Sequence, residues 1–206
     1  MQIEAHNLGK RYNREWIFKA LSHQFEVNST TGIIGSNGSG KSTLIKILSA
    51  AELPSKGEII YLENGRKINH AEIYKYLSFA APYMHLPEQL NAAEIYRFHD
   101  TFKNFQHQLT EKEFLDLIYL SDTKEKVIKN FSSGMIQRLK LGLAICSESA
   151  LLILDEPCSN LDKNGVELYW QLLKEYGENR IILIGSNEQA DELINVHSFI
   201  NLLDYK

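Results

Sequence analysis

Eight residues constrain this chain more than any other stretch: Gly35-Ser36-Asn37-Gly38-Ser39-Gly40-Lys41-Ser42. Apolar Gly32-Ile33-Ile34 precedes them and reads as a short buried strand, and Leu44, Ile45, Ile47 and Leu48 follow at helical spacing. The spacing predicts a helix from Lys41 to about Ala50. A strand that turns through a glycine-rich curl into a helix points successive main-chain N–H groups at one spot, and the helix dipole adds positive potential there. Such a cradle takes phosphate oxygens. In it Lys41 sets an ammonium against β- and γ-phosphates and Ser42 offers a hydroxyl to Mg²⁺, with Thr43 completing the first turn. The expected ligand is a nucleoside triphosphate with its magnesium ion.

The remaining pattern implies an α/β protein. Strands are predicted at Ile3–Leu8 and roughly Trp16–Val27, forming an N-terminal antiparallel β region, and at Glu58–Leu62 after a turn at Pro54–Gly57. Asn64-Gly65 is a hairpin signal. A short helix over Ala71–Tyr76 leads to a buried strand, Leu77–Ala81. Residues 83–130 are aromatic and polar with helical periodicity, and Thr110-Glu111-Lys112-Glu113 is a capping box; with the helix that follows they read as a helical subdomain, about 83–147. Strand–helix alternation resumes with a strand at Leu151–Leu154, a helix at Lys163–Tyr176, a strand at Ile181–Ile184, a short helix near Glu188–Ile194 and a last strand near Phe199–Leu203. Such alternation predicts a mainly parallel sheet. The expected organisation is one domain, with a core of about residues 1–82 and 148–206 and the helical insert at 83–147.

Composition narrows the function. With 44% hydrophobic and 23% charged residues and a net charge of −4, the chain has no basic run that would recruit nucleic acid. No apolar stretch approaches the ~18 residues a membrane span needs, no signal-peptide pattern opens the chain, and two cysteines make no disulfide framework. A cytosolic protein is expected. His85, His99 and His107 lack metal-ligand spacing.

Leu151-Leu152-Ile153-Leu154-Asp155-Glu156 is an apolar strand ending in two acids. Such a strand delivers carboxylates to the C-terminal edge of a parallel sheet, where ligands bind. Asp155 can hold Mg²⁺ with Ser42, and Glu156 can accept a hydrogen bond from a water attacking the γ-phosphorus.

With these motifs goes Phe131-Ser132-Ser133-Gly134-Met135, a turn opening an apolar helix. Over essentially its whole length the chain resembles the nucleotide-binding subunit of ATP-binding cassette (ABC) transporters. Residues 35–42 resemble that family's Walker A, 151–156 its Walker B, and 131–135 its Leu-Ser-Gly-Gly-Gln signature. Pro157–Asp162 resembles its D-loop, with Leu161 and Asp162 intact. Tyr12, 23 positions before Gly35, stands where the family stacks an aromatic on adenine, with Trp16 the alternative. The resemblance implies an ATPase whose cofactors are ATP and Mg²⁺. It implies pairing with a second ABC subunit, so that Ser132, Ser133, Gly134 and Met135 meet the partner's nucleotide in trans. It implies a transmembrane permease that holds the subunit peripherally on the inner face of the cell membrane. The signature variant Ser-Ser-Gly-Met is associated with exporters, and Asp162–Val166 resembles haem-exporter ATPases.

The chain departs from the family at three positions. Pro82 stands where the family has a glutamine touching Mg²⁺ and water, with Gln89 a possible substitute seven residues on. Asn187 stands for the histidine at the γ-phosphate, and Met135 replaces the signature glutamine. The resemblance keeps Asn187 as a catalytic position, but an amide is shorter and never cationic. Three classes therefore compete: a transporter ATPase, a nucleotide-sensing module that hydrolyses slowly or not at all, and a soluble cassette protein of translation or repair. Losing a preorganised donor costs roughly 10²–10³ in turnover. Steady-state phosphate release should fall well short of the enzyme median of ~10 s⁻¹, and Asn187→His should raise it; unchanged turnover in that variant would remove Asn187 from the explanation.

Overall fold

A computed structural model describes residues 1–123 and 125–206. In chain order the elements are β1 (Gln2–Tyr12), β2 (Glu15–Glu26), β3 (Thr30–Ile34), α1 (Lys41–Leu48), β4 (Lys56–Glu63), β5 (Arg66–Lys67) and β6 (Leu77–Ala80). Then follow α2 (Ala92–Asp100), α3 (Glu111–Leu117), α4 (Ser133–Ile145), β7 (Leu151–Asp155), α5 (Lys163–Tyr176), β8 (Ile181–Ser186) and β9 (Ser198–Asn201). Among the described residues no helix is long and apolar enough to cross a membrane.

The chain forms two compact units. The first comprises Met1–Phe79, Ser149–Glu156 and Asn179–Lys206. It carries an antiparallel sheet of order β2-β1-β4-β5 and a second sheet of order β6-β7-β8-β3-β9. The pairings of β7 with β8, β8 with β3 and β3 with β9 are all parallel. β7 and β8 are buried along their whole length, as expected of strands covered on both faces. One apolar core serves the unit: Ile3, Leu8 and Phe25 of the antiparallel sheet, Leu44, Ile45 and Leu48 of α1, and Ile33, Ile153 and Leu183 of the parallel sheet all pack into it. The Tyr61 hydroxyl, on β4, donates to the carbonyls of Ile47 and Leu48, both at 3.1 Å. Its one proton is shared between them, adding to the Ala50 N–H that Ile47 already accepts at the C-terminus of α1. This architecture is the α/β core, with its N-terminal antiparallel region and helical insertions, that the sequence implies.

The second unit comprises Ala80–Glu148 and Pro157–Glu178. It therefore takes in α5 and the residues leading to it as well as the helical stretch. Asn91 and Glu94 form a capping box at α2, and Thr110 and Glu113 form another at α3. Tyr96 stacks on Phe105 with ring centroids 4.6 Å apart, and Phe114 tilts against both. The dense aromatics thus divide: Tyr96 and Phe105 make core, while Phe98 and Phe102 lie exposed.

Several short elements differ from expectation, mostly at ends. The segment predicted as a helix over Ala71–Tyr76 is a 3₁₀ turn, His70–Lys75, capped by the Asn69 side chain. The helix expected near Glu188–Ile194 shrinks to one 3₁₀ turn, Ala190–Glu192. The last strand stops at Asn201, and Leu202–Tyr205 forms another 3₁₀ turn. β4 begins at Lys56, inside the predicted turn. A single turn gains too few hydrogen bonds to be set by local sequence.

His99 in the second unit is half-buried, and its ring bonds the Ser147 hydroxyl at 2.7 Å. Burial first, and then nearby Lys103, pull its pKa from 6.5 down to about 4. Between those values the unfolded chain binds a proton that the folded chain refuses. Its contribution is therefore fully present above pH 6.5 and is lost as pH falls toward 4. Denaturant titrations should show about 2–3 kcal/mol of this loss in the native protein. His99→Gln, which cannot titrate, should flatten that slope.

Candidate phosphate and metal site

β3 runs straight into the loop, and β7 and β8 end beside it, so three strand ends converge. Gly40, the last loop residue before α1, has φ +109°, and a Cβ there would lie 2.4 Å from Ile17 Cγ2. Only glycine fits that turn and that approach. Behind it Lys41 is 6% exposed. Its ammonium donates to the carbonyls of Gly35 (2.8 Å) and Ser36 (3.2 Å) and to Asn187 Oδ1 (2.5 Å). Burial lowers the Lys41 pKa, and the carboxylates of Glu156 and Asp155 oppose that shift.

Asn187 follows β8 and bridges two groups. Its Oδ1 faces Lys41, and its Nδ2 donates to Glu156 Oε1 at 2.8 Å. A lysine can only donate and a carboxylate can only accept, so the amide has one usable orientation. Glu156 directly follows β7 with φ +46°, a left-handed conformation costly for a side chain, about 1–3 kcal/mol. Its N–H is held by the Gly185 carbonyl at 2.8 Å.

Asp155 ends β7, 2% exposed. The Ser42 hydroxyl donates to Asp155 Oδ2 at 2.8 Å. A hydroxyl and a carboxylate converging at one point are hard oxygen donors, the set Mg²⁺ prefers beside phosphate oxygens. The sequence-predicted residues Gly35–Thr43, Asp155, Glu156 and Asn187 thus assemble at one edge of the first unit.

Tyr12, at the end of β1, is 45% exposed. Its hydroxyl donates to Glu52 Oε1 at 2.7 Å, a carboxylate also paired with Lys10 at 2.7 Å. The Glu52 bond is the main reason its pKa is raised, and the Thr43 side chain is a weaker partner acting the other way. The hydroxyl is thereby fixed beside the first turn of α1, with the ring partly exposed. Both aromatic candidates carry cations: Lys10 Nζ lies 5.2 Å from the centroid of the Tyr12 ring, and Arg11 and Lys19 lie 5.6 and 5.8 Å from that of Trp16.

The other candidates lie in the second unit. Ser132 is the N-cap of α4, its hydroxyl accepting from Met135 N–H at 3.3 Å. Ser133 and Gly134 form the first turn of that helix. Asp162 caps α5, accepting from Gly165 N–H at 2.8 Å, and Leu161 N–H bonds the Cys158 carbonyl. The Pro82 and Ala81 carbonyls accept from the buried Lys140 ammonium at 3.0 and 3.3 Å. Gln89 is exposed, on a loop whose Glu88 and Leu90 carbonyls accept from Lys129 and Ile128 N–H.

Sequence reasoning missed Glu52, Lys10, Lys140 and Gly185. The first three are distant in sequence from what they hold and belong to no motif. Gly185 sits so close to Asp155 Oδ1 and Ile45 Cδ1 that a Cβ would lie 2.5 and 2.6 Å from them. Gly185→Ala should therefore displace the Asp155 carboxylate and cost about 1–3 kcal/mol, a drop of several degrees in the thermal midpoint. An unchanged midpoint would show that this strand edge has room to relax.

The family model described as "ABC transporter" matches residues 18–159. "Uncharacterized ABC transporter ATP-binding protein YcbN" of Bacillus subtilis is 33% identical over 94% of this chain and 66% of its own length. "Uncharacterized ABC transporter ATP-binding protein YybJ" of the same organism is 30% identical over 92% of this chain and 87% of its own length. The chain spans only 13% of another relative, "ABC-type organic anion transporter ABCA8B" of Mus musculus, at 28% identity. Among solved structures, a "Putative ABC transporter (ATP-binding protein)" from Pyrococcus furiosus has TM-score 0.79 at 22% identity, with both chains fully covered. At that identity the likeness is one of fold.

Proposed function

The chain belongs to the ABC transporter family as an ATP-binding subunit, and from that premise we propose that it binds Mg·ATP at the edge formed by Gly35–Thr43, Asp155, Glu156 and Asn187, and hydrolyses it slowly to drive a membrane permease. The observation that carries this reading is the Lys41–Asn187–Glu156 chain of hydrogen bonds beside the Ser42–Asp155 pair.

Each group has a task that its position supports. The main-chain amides of the loop and the N-terminus of α1 receive β- and γ-phosphate oxygens. Lys41, now held by two loop carbonyls and one amide oxygen, exchanges them for phosphate oxygens, a stronger charge-assisted set. Ser42 and Asp155 hold the magnesium ion, which when bound neutralises charge on the transferred phosphoryl group. Glu156 accepts a hydrogen bond from the attacking water and aims it in line. Asn187 fixes the Glu156 carboxylate through Nδ2 and contributes a neutral donor toward the γ-phosphate, which slows the step. Tyr12, braced by Glu52, offers its exposed ring to adenine.

Pairing with a second ABC subunit would add Ser132, Ser133, Gly134 and Met135, with Leu161 and Asp162, to the partner's nucleotide. The exporter assignment rests on the signature variant. A second reading, a nucleotide-sensing module, is favoured by one observation: the amide tying Lys41 to Glu156 carries no charge. ATP would then serve as a pairing signal with little turnover.

Calorimetry should register Mg·ATP uptake by the native protein, weakened at least tenfold by Lys41→Ala. Light scattering of Glu156→Gln with ATP should show dimers, while phosphate release falls below the native level. Absence of ATP uptake in the folded native protein would refute the proposal. Dimers without any native phosphate release would select the sensing module. A multispanning membrane protein copurifying with the chain would support the transporter reading.

A further inference from the structure

Glu156 is held in an unusual conformation, and the residue after it offers little help. Pro157 has no N–H to donate, and a proline steers its predecessor toward extended backbone, away from the φ of +46° found at Glu156. Upstream, the Glu156 N–H is fixed by the Gly185 carbonyl. Downstream, the main-chain polar group of the next residue is the Pro157 carbonyl. It accepts a 2.8 Å hydrogen bond from Gln137 Nε2. Gln137 lies on α4, one turn beyond the Ser132–Met135 turn, and is 3% exposed. A buried amide keeps its place only with a partner, and here that partner is main chain.

The surroundings make this bond a link between two motifs. Within the second unit, a Cβ on Gly134 would lie 3.2 Å from the Asn160 carbonyl. Asn160 itself is left-handed, φ 63°, and Asp162 closes the segment by capping α5. The turn at Ser132–Met135, Gln137 and residues 157–162 are thus packed together, and Pro157 is joined covalently to Glu156. We propose that Gln137 is a positioning residue: it clamps the Pro157 carbonyl, fixes the Glu156–Pro157 turn, and so holds the backbone conformation from which the Glu156 carboxylate is aimed. The inference rests on the reading of Glu156 given above.

The test compares the full-length native protein, Glu156→Gln and Gln137→Met, which keeps side-chain length but loses the donor. Gln137→Met should lower kcat about tenfold, the scale of one lost buried hydrogen bond. ATP affinity of the monomer should stay within about twofold, because phosphate loop and metal site are untouched. Hydrogen exchange should quicken at the amides of Cys158–Leu161. Native kcat in Gln137→Met overturns the proposal. So does unchanged exchange at those amides, or a fall in ATP affinity equal to the fall in kcat. If Glu156→Gln is no slower than the native protein, the role given to Glu156 fails, and the clamp falls with it for that separate reason.

Discussion

A buried ammonium group governs this structure. Taking a lysine head from water costs several kcal/mol unless its protons find acceptors and its charge finds opposite charge nearby. Lys41 meets both conditions in a crowded way: two carbonyls of its own loop, one amide oxygen, and the carboxylates of Glu156 and Asp155 within electrostatic reach. Burial still lowers its pKa, so the compensation is incomplete. A site that holds a cation slightly under-compensated favours an anion that can complete it. The loop curls around that group, three strand ends converge beside it, and Gly185 leaves room for the Asp155 carboxylate.

Asn187 ties the cation to the carboxylate. One neutral side chain accepts from Lys41 and donates to Glu156, joining the group expected to grip phosphate with the group expected to aim water. This arrangement holds Glu156 in place but adds no positive charge toward a developing phosphoryl charge. The family resemblance marks position 187 as histidine, and a neutral imidazole can make the same two bonds while a protonated one adds charge. The site assembles with asparagine in that position, and in the function proposed above the departure bears on rate.

Much of this was legible beforehand because the signals are local. Strand, glycine loop and helix are consecutive, so Gly35–Thr43 fixed its own neighbourhood. Four apolar residues before Asp155 marked a covered strand, and β7 is buried at each of its five positions. The capping box at Thr110–Glu113 is a four-residue pattern and formed as expected. What escaped was short or distant. The segment 188–194 gave up most of its predicted helix, since one turn has no local energy to defend it. The brace on Tyr12 comes from Glu52, forty positions away, and no pattern announces it. The aromatic stretch could not be divided into core and surface from spacing alone; the stacking of Tyr96 on Phe105 did that.

By itself, then, the sequence determined which residues could bind phosphate and metal and which strands would be covered, because those properties depend on side-chain chemistry and on neighbours a few positions apart. Tertiary structure alone decided that Asn187 would join Lys41 to Glu156, that Gly185 would lie against Asp155, that Gln137 would hold the Pro157 carbonyl, and that residues 157–178 would pack with the helical stretch. Those outcomes depend on which groups are brought together when separate strands and helices share a core. Hydrogen-bond geometry at 2.5–3 Å is settled by that packing, not by spacing along the chain.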